Sequence, residues 1–259
     1  MTPLPLAGRT VVVTRAGPRA EEMTLPLEQA GASVLELPLT AQIDASDKGE
    51  ALRAAAGALG SFAWVVVTSV NAAERLLDVI DEVPHGLRVA AVGPTTAAAF
   101  RAAGVEVHLV PDTHSAAALV DAFPAAAAGE RRLVLFPSGD RAPATVVEGL
   151  RAKGWDVQRV EAYRTVTLAP PEPALLAQVS AADVIVFTAA SSVHAFAALR
   201  TLDGQPPDPP ALVVCIGPTT GSAARAAGWR GVSEARRASS VAIVTLLRER
   251  LGPSAASGS

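Results

Sequence analysis

The chain has 259 residues, half of them hydrophobic, with 22 Lys and Arg against 25 Asp and Glu for a formal net charge of −3. That length fits one large or two small domains, and the near balance of charge leaves no basic footprint for nucleic acid. The single cysteine, Cys215, excludes a disulfide framework, and no apolar run approaches the ~18 residues of a membrane span.

Met1 to Thr10 lacks a charged start followed by an apolar core and does not read as a signal peptide, so a reducing cytoplasm is the expected compartment. Six short β-branched runs follow: Thr10 to Thr14, Trp64 to Thr68, Arg88 to Val92, Leu133 to Phe136, Asp183 to Thr188 and Leu212 to Ile216. They are continuously apolar rather than alternating, as expected of parallel strands covered by helices on both faces. Helical stretches separate them, among them Ala20 to Ala30, Ala72 to Ile80, Ala144 to Lys153 and Val193 to Leu199. Gly31, Gly104, Gly154 and Gly228 stand where helices should stop. The fold class expected is α/β, with parallel sheets flanked by helices. Leu35 to Ile43 and Val160 to Thr167 read as extended crossings, and the small polar tail from Gly252 to Ser259 is expected to fray.

One phrase occurs twice. Val92-Gly93-Pro94-Thr95-Thr96 returns as Ile216-Gly217-Pro218-Thr219-Thr220, and each copy leads through alanines to Arg-Ala-Ala-Gly, ending at Gly104 and Gly228. The two glycine pairs share one spacing, 124 residues. The likeness extends to Thr14–Val34 against Pro137–Val157 and to Val66–Asn71 against Val186–Ser191. A duplicated building block follows, and a simple cut near Phe123 would separate the two copies.

Nearly every strand ends in small polar residues: Thr14-Arg15, Thr68-Ser69 with Asn71, Gly93 to Thr96, Ser138-Gly139, Thr188 with Ser191, and Gly217 to Thr220. Ligands of open parallel sheets bind outside the carboxyl ends of the strands, where helix N-termini offer unpaired N–H groups and favour anions. A single Thr95 or Thr219 would ordinarily be read as a helix cap; six donor-rich corners together point to a binding surface. No Gly-x-Gly-x-x-Gly or Walker loop is present. The four histidines show no metal spacing, and no nucleophile elbow marks a serine. Cys215, inside an apolar run, reads as a buried strand residue. Tyr163, the one tyrosine of the chain, lies on the second crossing, either packed at a domain junction or as a phenol donating a hydrogen bond into a cleft.

In order and spacing these residues resemble uroporphyrinogen-III synthases over about Gly8 to Leu251. The resemblance is carried by Val13-Thr14-Arg15, Gly31 to Val34 with Pro38, Val66 to Asn71, Val92 to Thr96 with Gly104, and Ser115 to Leu119. Tyr163-Arg164-Thr165, Phe187-Thr188 with Ser191, Ile216 to Thr220, and Ser240-Val241-Ala242 complete it. It implies two similar α/β domains joined by a two-stranded β connector, with the active site in the interdomain cleft. The first domain would be discontinuous, 1–37 with 168–259, and the second 38–167, which displaces the cut near Phe123.

The resemblance also implies a function: cyclisation of hydroxymethylbilane to uroporphyrinogen III with inversion of ring D, through an azafulvene and a spiro intermediate, in tetrapyrrole biosynthesis. It implies a lyase without cofactor or metal that acts as a monomer on a small-molecule tetrapyrrole. It meets no nucleic acid or membrane and touches hydroxymethylbilane synthase transiently. Tyr163 matches the tyrosine proposed to help the hydroxyl depart, and Thr220 a threonine of binding or catalysis. Thr14, Arg15, Thr68, Ser69, Asn71, Gly93, Thr95, Thr96, Ser115, Ser138, Gly139, Thr188, Ser191, Gly217 and Thr219 would hold the substrate. One corner departs from the family pattern: Thr188-Ala189-Ala190-Ser191 stands where Thr-Ser-Pro-Ser is frequent, so a hydroxyl is missing there. Two other readings compete: a non-catalytic ligand-binding or regulatory module of the same fold, and a flavodoxin-like nucleotide-binding protein, against which the missing phosphate loop argues.

Overall fold

The computed structural model describes residues 4–15, 18–127, 129 and 131–251; the polar tail lies outside them. In chain order the elements begin with β1 (Thr10–Val13), α1 (Pro18–Gln29), β2 (Ser33–Glu36), β3 (Thr40–Asp44), α2 (Glu50–Gly57), β4 (Trp64–Val67), α3 (Val70–Leu77), β5 (Arg88–Ala91) and α4 (Pro94–Ala102). They continue with α5 (Ala116–Ala122), β6 (Leu133–Gly139), α6 (Thr145–Ala152), β7 (Asp156–Thr167), α7 (Pro173–Ser180) and β8 (Val184–Phe187). The last are α8 (Ala190–Ala198), β9 (Leu212–Cys215), α9 (Pro218–Ala226), β10 (Val232–Glu234) and α10 (Ser240–Leu251).

Two compact units result, Met1–Ala41 with Val166–Ser259, and Gln42–Thr165. Each is built on a five-stranded sheet, ordered β10-β9-β8-β1-β2 in the first and β3-β7-β6-β4-β5 in the second. The first sheet is parallel throughout, as are the β7-β6-β4-β5 pairings of the second. The chain crosses from one unit to the other inside β3 and β7, which are neighbours in the second sheet. Phe123 belongs to the interior of the second unit, its ring against those of Trp64 and Trp155. A boundary there would split one core.

The apolar runs are strands with two covered faces. In the first unit Val12, Ile185, Phe187, Val213 and Cys215 pack with Leu176 and Val179 of α7, Val193 and Phe196 of α8 and Ala224 of α9. Val11, Val13, Val184, Val186 and Val214, on the alternate face, meet Met23 and Leu27 of α1 and Ile243 and Leu247 of α10. The second sheet is covered likewise, by α2, α3 and α4 on one face and α5 and α6 on the other.

The duplication holds down to register. Val11 pairs with Val34 and Val134 with Val157, each 23 residues on. Val11 also pairs with Val184 as Val134 does with Trp64. Val214 faces Ser233 in the first unit and Ala90 faces Leu109 in the second, both partners displaced by the same 124 residues. Gly104 and Gly228 follow α4 and α9 with φ of 76° and 83°, the left-handed turn that closes a helix most easily without a Cβ.

One strand differs from expectation. β6 runs on past Phe136 through Pro137, Ser138 and Gly139, because β7 continues alongside and pairs Pro137 with Val160, Ser138 with Glu161 and Gly139 with Tyr163. Ser138 and Gly139 are therefore ladder residues rather than a loop corner. The register slips between them, leaving Ala162 as the extra residue of a bulge, and this irregularity re-aims the side chain that follows.

Candidate functional site

Both repeated phrases become the first turn of a helix. The N-caps are Gly93 and Gly217, with extended backbones, and Pro94 and Pro218 occupy the first turn. Thr95 and Thr219 therefore do not cap; they lie exposed one residue beyond the prolines. No side chain caps either helix, and the first helical bonds come from Ala97 N–H to Gly93 O and Gly221 N–H to Gly217 O, both at 3.0 Å. The N–H groups of the two threonines before each bond point along the helix axis toward the carboxyl end of the sheet, the geometry that receives a carboxylate. Thr96 and Thr220 turn inward and are 4% exposed. A Cβ on Gly217 would meet no atom within 4 Å, whereas one on Gly93 would lie 3.2 Å from Cβ and Cγ of His114. Among the described residues only the second unit's corner thus carries a side chain close above it.

The remaining corners sort by what their polar groups already do. Thr14 is 1% exposed, and its hydroxyl donates to Val186 O at 2.9 Å. That proton ties β1 to β8 and is not on offer to a ligand. Ser138, equally buried, accepts from Arg159 Nε at 3.0 Å. Ser115 caps α5, accepting from Ala118 N–H at 3.1 Å, and among the described residues its own proton goes to no protein atom. Ser69 caps α3 in the same way, accepting from Ala72 N–H at 3.2 Å. Thr68 and Thr188 are half-buried just before the caps of α3 and α8, and Asn71 and Ser191 occupy the second positions of those helices. Asn71 and the half-buried Arg15 are each engaged with neighbours.

Several of these residues converge at the carboxyl end of the second sheet. Tyr163 O–H donates to Ser69 Oγ at 3.2 Å, across 94 residues of chain. The phenol ring lies on Gly139, where a Cβ would be 2.8 Å from Cζ; that glycine is needed for close approach rather than for its backbone angles. Arg159 holds the bulge in place, donating from Nε to Ser138 Oγ and from its terminal nitrogen to Gly139 O at 3.0 Å and Asp140 O at 3.1 Å. Asp140 N–H bonds Tyr163 O at 3.1 Å, and its carboxylate accepts from Thr165 N–H at 3.0 Å. Arg159, Asp140 and His114 have no signature of their own in the sequence. Ser239, which caps α10 by accepting from Ala242 N–H at 3.2 Å, could have been found, since it stands 124 residues after Ser115.

Electrostatics separate the sulfur of the first unit from any chemistry. Burial, and secondarily Glu234, push the Cys215 thiol up to about 11, so it is protonated and closed off. Glu234 pairs with Arg225 at 2.6 Å. Among the described residues no group of three or more His, Cys, Asp and Glu is placed to hold a metal, and no helix is long and apolar enough to cross a membrane.

The same arrangement has relatives. A family model described as uroporphyrinogen-III synthase HemD matches residues 21–245. The chain belongs to the uroporphyrinogen-III synthase family. It is 32% identical over 211 residues to the uroporphyrinogen-III synthase of Synechococcus elongatus, covering 77% of each chain. It is 27% identical over 229 residues to the chloroplastic uroporphyrinogen-III synthase of Oryza sativa subsp. japonica, covering 86% of this chain and 74% of that one. Among solved structures, a mutant uroporphyrinogen III synthase of Thermus thermophilus superposes with a TM-score of 0.62 at 17% identity, over 94% of this chain and 98% of that one. The Helicobacter pylori synthetase gives 0.57, also at 17%, over 93% and 99%. At that identity the structural likeness speaks for the α/β fold, which the family shares.

Proposed function

We propose that this protein is a uroporphyrinogen-III synthase, a lyase that closes hydroxymethylbilane to uroporphyrinogen III with the last ring inverted. The observation that carries the reading is the placement of Tyr163, the residue matching the family's tyrosine. It stands at the carboxyl end of the second sheet with its hydroxyl on Ser69, the cap of α3.

In the proposed reaction the terminal hydroxyl leaves as water and an azafulvene forms. The substituted carbon of the last pyrrole attacks it, and the spiro intermediate fragments and recloses with that ring reversed. The sequence balances without an electron acceptor, so no cofactor is called for. Because the substrate also closes unaided without inversion, the protein's contribution is to hold a flexible chain in the one geometry that inverts. The rim carboxylates of the tetrapyrrole suit the uncapped helix N-termini at Gly93 and Gly217, with Thr95 and Thr219 exposed beside them. Thr68, Ser115, Thr188 and Ser191 add hydroxyls at the same strand ends. Thr220, nearly closed off, would act through its backbone N–H.

The two units are proposed as the family's two domains, 1–37 with 168–259 and 38–167, joined through β3 and β7. A cytoplasmic monomer that meets hydroxymethylbilane synthase transiently completes the reading, since an unstable substrate favours short transfer. The test is to supply hydroxymethylbilane freshly made by its synthase and resolve the product isomers. Isomer III is expected. Accumulation of isomer I alone, as in the spontaneous reaction, would overturn the proposal.

A further inference from the structure

The Tyr163–Ser69 pair determines which hydroxyl can give a proton outward. Ser69 Oγ accepts twice, from Ala72 N–H and from Tyr163 O–H, both at 3.2 Å. A serine hydroxyl has two acceptor lone pairs and one proton. Both lone pairs are filled, and among the described residues that proton goes to no protein atom. Tyr163 stands the other way round, its proton committed to Ser69. The half-buried Ser69 is therefore the member of the pair with a donor to present.

The surroundings hold the two oxygens in place. Ser69 is fixed as the cap of α3 with an extended backbone, φ −149° and ψ 148°. Tyr163 is fixed by the β6–β7 bulge and the Gly139 contact. The hydrogen bond running from Tyr163 to Ser69 is made with the cap bond and the ring packing both intact.

We propose that Ser69 is a catalytic residue: it passes its proton to the departing hydroxyl of the substrate while taking one from Tyr163. This rests on the function proposed above. The carbon–oxygen bond breaks with its electron pair on oxygen, and the Ser69 proton completes a water molecule. The pyrrole nitrogen lone pair fills the carbon and forms the C=N bond of an azafulvenium. The Tyr163 proton restores Ser69 and leaves a phenolate, to which the azafulvenium N–H proton returns through solvent. The products are water, neutral azafulvene and an intact pair. A phenol is the stronger acid and supplies the proton; without it Ser69 would be left as an alkoxide. If Tyr163 instead donated directly, Ser69 would be only a cap and a prop.

The experiment is a double-mutant cycle on the full chain, reading turnover to isomer III at saturating, freshly generated hydroxymethylbilane, with thermal unfolding as the check of fold. The variants are Ser69→Gly, Tyr163→Phe, the two combined, and Ser69→Thr. Glycine is tolerated at an N-cap at little cost; should it not fold, Ser69→Asn, which caps but cannot relay a proton, is read identically. The relay requires each single change to lower kcat by about 100-fold. The combination should be no worse than the poorer single within about 3-fold, and Ser69→Thr should recover to within about 10-fold of wild type. A Ser69→Gly loss below about 30-fold, losses that multiply in the combined variant, or no recovery by threonine overturns it. A wild-type protein yielding only isomer I would instead sink the function itself, whatever the variants do.

Discussion

Gly139→Ala tests whether the position of the Tyr163 phenol matters, without touching any hydroxyl. A Cβ at Gly139 would lie 2.8 Å from Tyr163 Cζ and 3.0 Å from both Cε2 and the hydroxyl oxygen. Carbon atoms in good contact sit about 3.5–4.0 Å apart, so the ring must retreat by roughly 0.7 Å or more. The hydroxyl is already 3.2 Å from Ser69 Oγ, beyond the usual O–H···O distance of about 2.7–2.8 Å, and such a retreat takes it out of reach. The backbone offers no relief, because Gly139 is paired with Tyr163 in the ladder. Overpacking of this kind costs about 1–3 kcal/mol of stability, and a misplacement approaching 1 Å in a catalytic group costs up to about 100-fold in rate. Turnover to isomer III and urea unfolding should both be measured. A useful contrast is Gly57→Ala at the end of α2, where a Cβ meets nothing within 4 Å; it should add roughly 0.5–1 kcal/mol with turnover unchanged. A folded Gly139→Ala protein with turnover within about 2-fold of wild type would refute the argument that the phenol must rest on that glycine.

Three further outcomes follow from single sites. Gly104 and Gly231 both have left-handed backbones, φ 76° and 68°, but a Cβ on Gly104 meets open space while one on Gly231 strikes the Ala211 carbonyl oxygen. Alanine should cost about 1 kcal/mol at Gly104 and about 3 kcal/mol or more at Gly231 by urea unfolding, and equal losses would refute the contact. Cys215, its thiol raised to about 11 chiefly by burial, should resist a thiol reagent at about pH 8 in the folded protein and react at once in urea; prompt labelling of the folded chain would contradict that burial. At Asp183 burial opposes ionisation, but the Thr10 N–H and the Arg9 guanidinium at 2.8 Å outweigh it and hold the carboxyl below its usual range. A depressed value stabilises above the unfolded value and is lost on acidification, so Asp183→Asn should cost roughly 0.5–1 kcal/mol near pH 7 after solvent screening. That gap should close as the pH falls below about 4, the ordinary carboxyl range, and a gap independent of pH would remove the ion pair from the account.

What could be read in advance was whatever depends on neighbours in sequence or on the repeat. Runs such as Trp64-Val65-Val66-Val67 announced parallel strands because both faces of each are covered, and the spacing of 124 residues announced a duplicated building block. The Gly-Pro corners announced helix starts, although the cap is the glycine and not the threonine. Other features were hidden because they depend on partners far along the chain. Thr14 and Ser115 look alike as corner hydroxyls, yet one donates to Val186 O and the other accepts from Ala118 N–H as a helix cap. β6 extends over Pro137 to Gly139 only because β7 runs beside it. α2 escaped notice since its start is made by Asp47, whose carboxylate accepts from Gly49 and Ala51 N–H, in a loop with no apolar periodicity. Ser69 and Tyr163 were each singled out alone; no local pattern links residues 94 positions apart.

The two units are duplicates in their frames and in their uncapped corners, but not in the pair that would do chemistry. By the offsets that relate the strands, Ser69 corresponds to Ala189 and Tyr163 to Thr40. Ala189 has the same cap geometry as Ser69, φ −154° and ψ 147°, yet no side chain to use it. Thr40 instead lies buried with its hydroxyl 3.4 Å from that of Ser192, a contact internal to the first unit's core. Symmetric corners suit a ligand that carries many equivalent carboxylates, because each needs only an N–H terminus wherever it falls. A departing hydroxyl occurs once per substrate, and a second donor aimed at a polyanion would have nothing to protonate. The loss of the hydroxyl at Ala189 is then no defect in a binding surface. The proposed proton transfer would need only the copy that carries Ser69 and Tyr163.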